Sequence, residues 1–142
     1  VYQSAADHYA RREIYRSEDL GYSVIAMTWG PGQGTALHDH CGMWCVEGVW
    51  HGQIEVTPYE LVQREEERFR FESRGTMLAG PGSAGSLRPP HEFHTLRNPS
   101  DSAIAVTLHI YRGCMTSCAV FNPSADGWYA RDQRQLSLDQ TH

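Results

Sequence analysis

The fold of this chain is decided by the stretch Gly30-Pro31-Gly32-Gln33-Gly34-Thr35-Ala36-Leu37-His38-Asp39-His40. Alternate side chains of an extended strand share one face, so His38 and His40 point the same way while Asp39 points away. Two imidazoles then converge on one point, as metal ligands do. The glycines ahead of them, and the pair Gly48 and Gly52 behind them, favour an all-β fold. We expect a small β-barrel with tight turns, whose mouth receives the metal ligands.

These spacings resemble the two sequence motifs of the cupin superfamily. The first motif, Gly-x5-His-x-His, is met by Gly32 to His40, and Gly34 offers a shifted match. The second, Gly-x5-Pro-x-Gly followed by His-x3-Asn, is approximated by residues 75–82 and by His94 with Asn98. The resemblance implies a cupin-type β-barrel, or jelly roll. It also implies a metal site made by His38, His40 and His94.

The chain departs from the cupin pattern in one informative place. Most metal-binding cupins carry a glutamate four or five residues after the second histidine, and here Trp44 and Cys45 stand at those positions. A three-histidine site leaves a dipositive metal with its full charge, which favours a soft anionic donor such as a substrate thiolate. Glu47 shares the strand face of Cys45 and could be a fourth ligand or a proton acceptor. Its spacing fits neither cupin pattern, so we do not count it among the ligands.

Further spacings resemble the cysteine dioxygenase family, the thiol dioxygenases, which are iron enzymes with a three-histidine site. Eukaryotic members join a cysteine, five residues after the second histidine, to a tyrosine seventeen residues after the third. Cys45 and Tyr111 stand at those positions. The family's Ser-x-His-x-Tyr alternation reads here as Thr107, His109 and Tyr111, which share one strand face. The resemblance implies catalytic roles for these four residues, and a thioether between Cys45 and Tyr111.

The stretch Tyr9-Ala10-Arg11-Arg12 resembles the family's Tyr-x-Arg motif. The resemblance implies that Arg11 holds the substrate carboxylate and that Tyr9 assists. A guanidinium suits this task because its fork matches two carboxylate oxygens. A direct count back from His38 would choose Arg12 instead, and an isolated pair of arginines is also typical of a solvated surface.

The resemblance as a whole implies a non-haem thiol dioxygenase that uses Fe(II), a small thiol and O2, and gives a sulfinate. Cysteine is the default substrate, and 3-mercaptopropionate is an alternative that lacks the amine. In this hypothesis Tyr111 donates a hydrogen bond at the metal, His109 orients Tyr111, and Thr107 orients His109. A non-enzymatic metal- or ligand-binding cupin would have no use for the Cys45 and Tyr111 spacings. A zinc or nickel cupin isomerase usually keeps the missing glutamate.

The remaining histidines and cysteines have simpler interpretations. His91 lies three residues before His94, so the two imidazoles cannot share a strand face, and we expect His91 near the entrance or exposed. A structural zinc site or a disulfide is disfavoured for the four cysteines, because structural zinc sites favour shorter Cys-x2-Cys spacings and nothing indicates an oxidising compartment. We interpret three of them as packing residues, namely Cys41, Cys114 and Cys118.

Length and composition predict one globular domain over residues 1–142. A net charge of -5 argues against nucleic acid and against an acidic membrane surface as partners, and no apolar run approaches the length of a membrane span. No secretory signal is visible, and we expect a cytoplasmic monomer. Within this single cupin domain we expect a short N-terminal helical segment (1–20), the barrel (21–121) and a C-terminal tail (122–142). The strands expected in the barrel are Tyr22–Trp29, Met43–Trp50, Gln53–Val62, Phe69–Leu78, Ala103–Tyr111 and Met115–Phe121.

Overall fold

A computed structural model describes residues 8–87, 91–113 and 116–139. Every helix or strand assigned in that part of the chain is a β-strand, which confirms the all-β prediction. No helix among the described residues is long and apolar enough to cross a membrane. The strands are β1 (Ala10–Ser17), β2 (Tyr22–Trp29), β3 (Leu37–His38), β4 (Cys45–His51), β5 (Ile54–Glu65), β6 (Arg68–Ser73), β7 (Met77–Ala79), β8 (Ala84–Leu87), β9 (His94–Arg97), β10 (Ala105–Arg112), β11 (Ser117–Pro123) and β12 (Tyr129–Gln135).

The strands form two antiparallel sheets that pack on each other. One sheet has the order β1-β2-β10-β4-β8, and the other has the order β6-β12-β11-β3-β9-β5-β7. The strand β6 also pairs with β5, so six strands of the second sheet close into a ring. Both sheets contribute to one buried cluster, which contains Trp29, Cys45 and Tyr111 from the first sheet and Ile54 and Leu96 from the second. The core therefore lies between the sheets, beside the predicted metal ligands.

The helical segment expected over residues 1–20 is wrong for the described part of that range, and residues 1–7 lie outside the described residues. Ala10–Ser17 is the strand β1, which pairs along β2 from Ala10↔Thr28 to Ser17↔Tyr22. The pairing satisfies backbone N–H and C=O groups that β2 would otherwise expose at the sheet edge. Polar residues interspersed with aromatic ones suit an edge strand as well as a helix, so the tertiary pairing decided the outcome.

The glycine-rich turn lies close to β9. This close approach brings His38 and His40 next to His94, which is distant in the sequence. A Cβ on Gly34 would lie 2.8 Å from the carbonyl oxygen of Leu96, so only glycine fits there without a shift. Thr35 N–H donates to the same oxygen at 2.8 Å. Buried Asn98 fixes the turn from its other end, because its amide Nδ2 donates to the carbonyl oxygens of Trp29 and Gly30 at 3.0 and 3.2 Å. These contacts position β3 next to β9.

The tail expected after residue 121 contains a strand that the sequence pattern did not reveal. The strand β12 pairs with β11 from Ser117↔Gln135 to Pro123↔Tyr129. Beyond it, Asp139 forms two hydrogen bonds with the backbone of Arg11 in β1: Arg11 N–H donates to the side-chain Oδ2 of Asp139 at 2.8 Å, and Asp139 N–H donates to Arg11 O at 2.6 Å. The chain after β12 is therefore hydrogen-bonded to Arg11, the predicted substrate-binding arginine.

Candidate active site

Three histidine side chains meet where β3 pairs with β9. His38 ends β3 and is the register partner of His94, the first residue of β9, and His40 follows on the same face. The ring centroids are 4.7 Å apart for His38 and His94, 4.9 Å for His40 and His94, and 5.3 Å for His38 and His40. One ring nitrogen of each lies within 4.8 Å of the others. The structure thus brings together all three predicted metal ligands.

The ring nitrogens are suited to hold a metal ion. His38 Nδ1–H donates to the Ala36 carbonyl oxygen at 2.9 Å, which leaves Nε2 for a metal. Within the described part of the chain, both ring nitrogens of buried His94 lack a hydrogen-bond partner, and so does Nδ1 of buried His40. Burial lowers the pKa of His38 to about 4 and that of His94 to about 3, so both rings are neutral at pH 7, as ligands must be. Three imidazoles around one point fit a first-row transition metal.

Asp39 holds the two-histidine motif in place from the opposite face of the strand. Its backbone N–H donates to the Ala119 carbonyl oxygen at 3.1 Å, and its side-chain Oδ1 accepts from Ala119 N–H at 2.9 Å. The same Oδ1 accepts from Cys41 N–H at 3.2 Å. Asp39 therefore points towards β11 and away from the metal ligands, as the strand alternation predicts.

A chain of hydrogen bonds crosses the core beside the histidines. Trp29 Nε1–H donates to Thr107 Oγ1 at 2.9 Å, so the Thr107 hydroxyl donates its own proton to His109 Nε2 at 2.7 Å. The protonated nitrogen of His109 is then Nδ1, which donates to Glu47 Oε1 at 3.1 Å. The sequence predicted the Thr107 contact, but it also predicted that His109 would orient Tyr111. Both nitrogens of His109 are used elsewhere, and its ring lies parallel to that of Tyr111 with centroids 6.1 Å apart.

Glu47, whose spacing fits neither cupin pattern, nevertheless lies beside the clustered histidines. Its side chain is only 15% exposed, and Oε1 lies 3.5 Å from His94 Nε2 and 3.6 Å from His40 Nε2. Burial acts to raise the pKa of Glu47, but the imidazoles around it, including the His109 Nδ1–H that donates to it at 3.1 Å, hold the pKa well below its usual range. Glu47 is therefore an anion beside the three histidines at neutral pH.

Cys45 and Tyr111 lie together in the same buried cluster. They are register partners on β4 and β10, and both side chains are almost fully buried. The Cys45 thiol lies 3.9 Å from Glu47 Oε1, and the centroid of the Tyr111 ring lies 6.3 Å from that of His40. Burial raises the pKa of Tyr111 well above its ordinary value, so the phenol keeps its proton at neutral pH.

A small cavity joins the predicted substrate-binding residues to this centre. Its volume is about 20 Å³, room for about one water molecule. Tyr9 and Arg11 both reach it because they lie two residues apart on an extended chain. Arg12 points to the other face and does not line it. The polar residues of its wall include Tyr9, Arg11, His38, Glu47, His109, Tyr111 and Arg134.

Arg134 is a second cation at this cavity, and no sequence motif indicated it. A second, outer cavity of about 280 Å³ shares Tyr9, Arg11 and Arg134 with the small one, and Asp139 also lines it. The two cavities therefore share a wall that carries two guanidinium groups. Only the pairing of β12 with β11 brings Arg134 there, so no local sequence pattern could have indicated it.

A third cavity reaches the centre from another direction. It has a volume of about 350 Å³ and is lined mainly by apolar residues of β4, β5, β7 and β8. Glu47 and His109 line both this cavity and the small one, so they form part of the wall between them. His94 and Thr107 also face the apolar cavity.

The other residues singled out from the sequence lie away from the centre or outside the described residues. His91 is exposed and is not among the three clustered histidines. Cys41 is an exposed free thiol, and Cys118 is a buried one. Cys114 lies outside the described residues.

Solved structures share the fold of this chain. The chain superposes on the protein TT1209 of Thermus thermophilus with a TM-score of 0.58 and 21% identity, over 78% of this chain and 89% of that chain. A cupin superfamily protein of Desulfitobacterium hafniense gives a TM-score of 0.54 and 8% identity, over 79% of this chain and 84% of that chain. At these identities the likeness shows the fold alone, and that fold is the cupin fold.

Within the cupins, the chain belongs to the cysteine dioxygenase family. The family described as cysteine dioxygenase type I matches residues 5–124. Cysteine dioxygenase type 1 of Danio rerio is 25% identical over 101 residues, which cover 71% of this chain and 50% of that protein. The Bos taurus protein of the same name is 20% identical over 122 residues, which cover 86% of this chain and 60% of that protein. The chain spans about half the length of the curated relatives it matches.

Proposed function

We propose that this protein is a thiol dioxygenase that adds both atoms of O2 to the sulfur of a small thiol acid. Cysteine is the default substrate and 3-mercaptopropionate is the alternative. The observation that carries the proposal is one cavity lined by His38, Tyr111, Tyr9 and Arg11, which combines a metal ligand, a phenol and a carboxylate-binding group. The reaction balances without a further reductant, because the sulfur supplies all four electrons that O2 accepts as the thiol becomes a sulfinate.

The three histidines would hold Fe(II), which supplies a site for the substrate sulfur and for O2. The protein keeps this site ready by burying His38 and His94 as neutral rings, so no proton has to leave them before a metal binds at pH 7. The Asp39 contacts with β11 hold the backbone of the two-histidine motif, and the His38 contact with Ala36 orients the His38 ring in advance. Orientation set by the fold lowers the cost of assembling the reactants.

Tyr111 is the hydrogen-bond donor of the proposed site. The phenol keeps its proton at neutral pH because burial raises its pKa, so it can donate to an anionic sulfur or oxygen atom in the cavity. It is almost fully buried and therefore acts where water screens little. Cys45 is its register partner on the neighbouring strand β4.

The substrate carboxylate would pair with Arg11, with Arg134 as a second cation at the same wall. A carboxylate that loses water must be paired, and a guanidinium can pair with both of its oxygens. Tyr9 stacks on Trp29 with ring centroids 4.5 Å apart, which holds its phenol at the cavity. The inner cavity is too small for a thiol acid, so substrate entry requires a side chain to move. Arg134 is the exposed residue of the wall and the natural one to do so.

The direct test is oxygen uptake by the iron-loaded protein with cysteine, 3-mercaptopropionate and larger thiols, with the product identified by mass. We expect one O2 consumed for each sulfinate formed, and none with His94→Ala. A protein that binds iron but consumes no O2 with any thiol would instead be a metal- or ligand-binding cupin without thiol dioxygenase activity.

A further inference from the structure

The apolar cavity between β4, β5, β7 and β8 is much larger than the inner cavity at Arg11. Its volume is about 350 Å³, against about 20 Å³ for the inner one. Its walls are mainly aliphatic, with buried Ile54 and half-buried Val49 and Val56 among them. The polar residues that line it are Glu47, Ser83, Ser86, His94, Thr107 and His109. It therefore offers a small uncharged molecule a largely apolar surface.

This cavity extends from the surface to one of the clustered histidines. β7 and β8 are the terminal strands of the two sheets, and the cavity opens beside them. Met77 and Leu78 of β7 line it and are 61% and 57% exposed, so its rim is apolar. Its inner end reaches fully buried His94, whose ring centroid lies 4.7 Å from that of His38. The apolar cavity thus joins the solvent to the histidine centre.

The lining of the apolar cavity does not suit a thiol acid. A carboxylate that loses water must be paired with a cation, and the described residues of this lining include neither lysine nor arginine. The Glu47 carboxylate would also repel a second anion. Apolar cavities instead stay dry and take up small uncharged molecules such as xenon. O2 is a molecule of that kind.

The two reactants of the proposed reaction need separate ways to the centre. The inner cavity holds about one water molecule, so a bound thiol acid fills it beside Arg11. O2 that binds after the thiol acid then needs another path. Glu47 and His109 separate the inner cavity from the apolar one, and the hydrogen bond of 3.1 Å between them holds this wall together. The apolar cavity is therefore free when the inner one is full.

We infer that the apolar cavity is an O2 site, through which O2 reaches the histidine centre while the thiol acid occupies the arginine side. The inference rests on the proposed function, because O2 is a reactant of that function. It assigns one cavity to each reactant according to polarity. The charged thiol acid belongs at Arg11 and Arg134, and the apolar gas enters beside Met77 and Leu78.

O2 in the apolar cavity can be measured in the metal-free protein, without turnover. Dissolved O2 is paramagnetic and speeds the relaxation of nearby protons, so methyl NMR spectra of the parent are recorded under O2 and under nitrogen. Ile54 is buried and lines the apolar cavity. Leu37 and Ala119 are the matched controls, because they are buried in the second apolar cluster and line none of the three cavities. We expect O2 to speed the relaxation of Ile54 methyl protons severalfold more than that of the control methyl protons.

Filling the cavity provides the second test. Val49→Phe and Val56→Phe add volume from opposite walls, because Val49 lies on β4 and Val56 on β5. We expect each variant to reduce the O2 effect on Ile54 and to raise the KM for O2 severalfold, with the KM for the thiol acid unchanged. Val62→Phe is the matched control, since Val62 is an exposed residue of β5 that lines none of the three cavities. It should leave both KM values unchanged.

Equal effects of O2 on the Ile54, Leu37 and Ala119 methyl protons would overturn the inference, and this measurement decides even if neither phenylalanine variant folds. A higher KM for the thiol acid with an unchanged KM for O2 in Val56→Phe would overturn it too, because the cavity would then hold the thiol. A parent protein that shows the effect at Ile54 but consumes no O2 with any thiol would remove the proposed function, and with it the route to the centre.

Discussion

Cys45 and Tyr111 are register partners on the adjacent strands β4 and β10, and both are buried in one cluster beside His40. Partners in an antiparallel pair point to the same face of the sheet, so the thiol and the phenol ring are neighbours. Forming a thioether between them removes one hydrogen from each residue, and O2 at the centre is the oxidant available. We expect turnover with thiol and O2 to lower the mass of the protein by two hydrogen atoms.

Intact-mass measurement before and after turnover checks this. Cys45→Ala and Tyr111→Phe should each abolish the mass loss, and Cys118→Ala, which removes a buried cysteine of β11, should keep it. A mass loss that survives in Cys45→Ala would assign the modification to other residues.

Arg11 and Arg12 offer a matched pair for testing substrate binding. Both are buried, but only Arg11 lines the cavity that contains His38 and Tyr111. Removing one partner of a desolvated charge pair typically costs about 2–5 kcal/mol, so Arg11→Ala should raise the KM for the thiol acid by well over tenfold. Iron binding should stay unchanged, and Arg12→Ala should have little effect on KM.

The same assay with Arg134→Ala shows how far the second guanidinium contributes. We expect a smaller increase in KM than in Arg11→Ala, because Arg134 is exposed and its charge is screened by water. A larger effect of Arg12→Ala than of Arg11→Ala would mean that the substrate approaches from the opposite face of β1.

His94 and His91 provide a test of the third metal ligand. His94 is fully buried and clusters with His38 and His40, whereas His91 is exposed. We expect His94→Ala to lose bound iron and His91→Ala to retain one iron per chain, as measured by metal analysis after dialysis. Iron retained in His94→Ala would show that another residue completes the site.

The buried histidines predict how the metal-free protein responds to acid. The pKa of His38 falls to about 4 and that of His94 to about 3 in the folded state, whereas an unfolded histidine titrates near 6.5. Below pH 6.5 the unfolded chain therefore binds protons that the folded chain does not, so stability falls as the pH drops from about 6.5 to 4. Above pH 6.5 these two histidines no longer lower the free energy of unfolding.

Urea unfolding of the metal-free protein across that range measures the effect. The free energy of unfolding should depend less strongly on pH in His38→Gln than in the parent. His91→Gln should match the parent because His91 is exposed. An unchanged pH dependence of the free energy of unfolding in His38→Gln would contradict this interpretation.

The sequence by itself determined the strands of the core and the metal-binding motif. The strand Tyr22–Trp29 has the predicted bounds, and β10 and β11 lie within about two residues of their expected ends. His38 and His40 on one strand face follow from period-two alternation, which is a local property. The spacings of Cys45, His94 and Tyr111 predicted that these residues lie near the two histidines only because they matched the spacings of a known family.

Only the tertiary structure decided which groups surround those histidines. β1 is a strand because it covers the edge of β2, and Arg134 and Asp139 reach Arg11 because β12 pairs with β11. Glu47 enters the centre because the turn after His40 delays the start of β4. Each of these outcomes depends on contacts between residues far apart in the chain. A local pattern of side chains reports its own periodicity, but it does not report which backbone or charge will lie opposite it after folding.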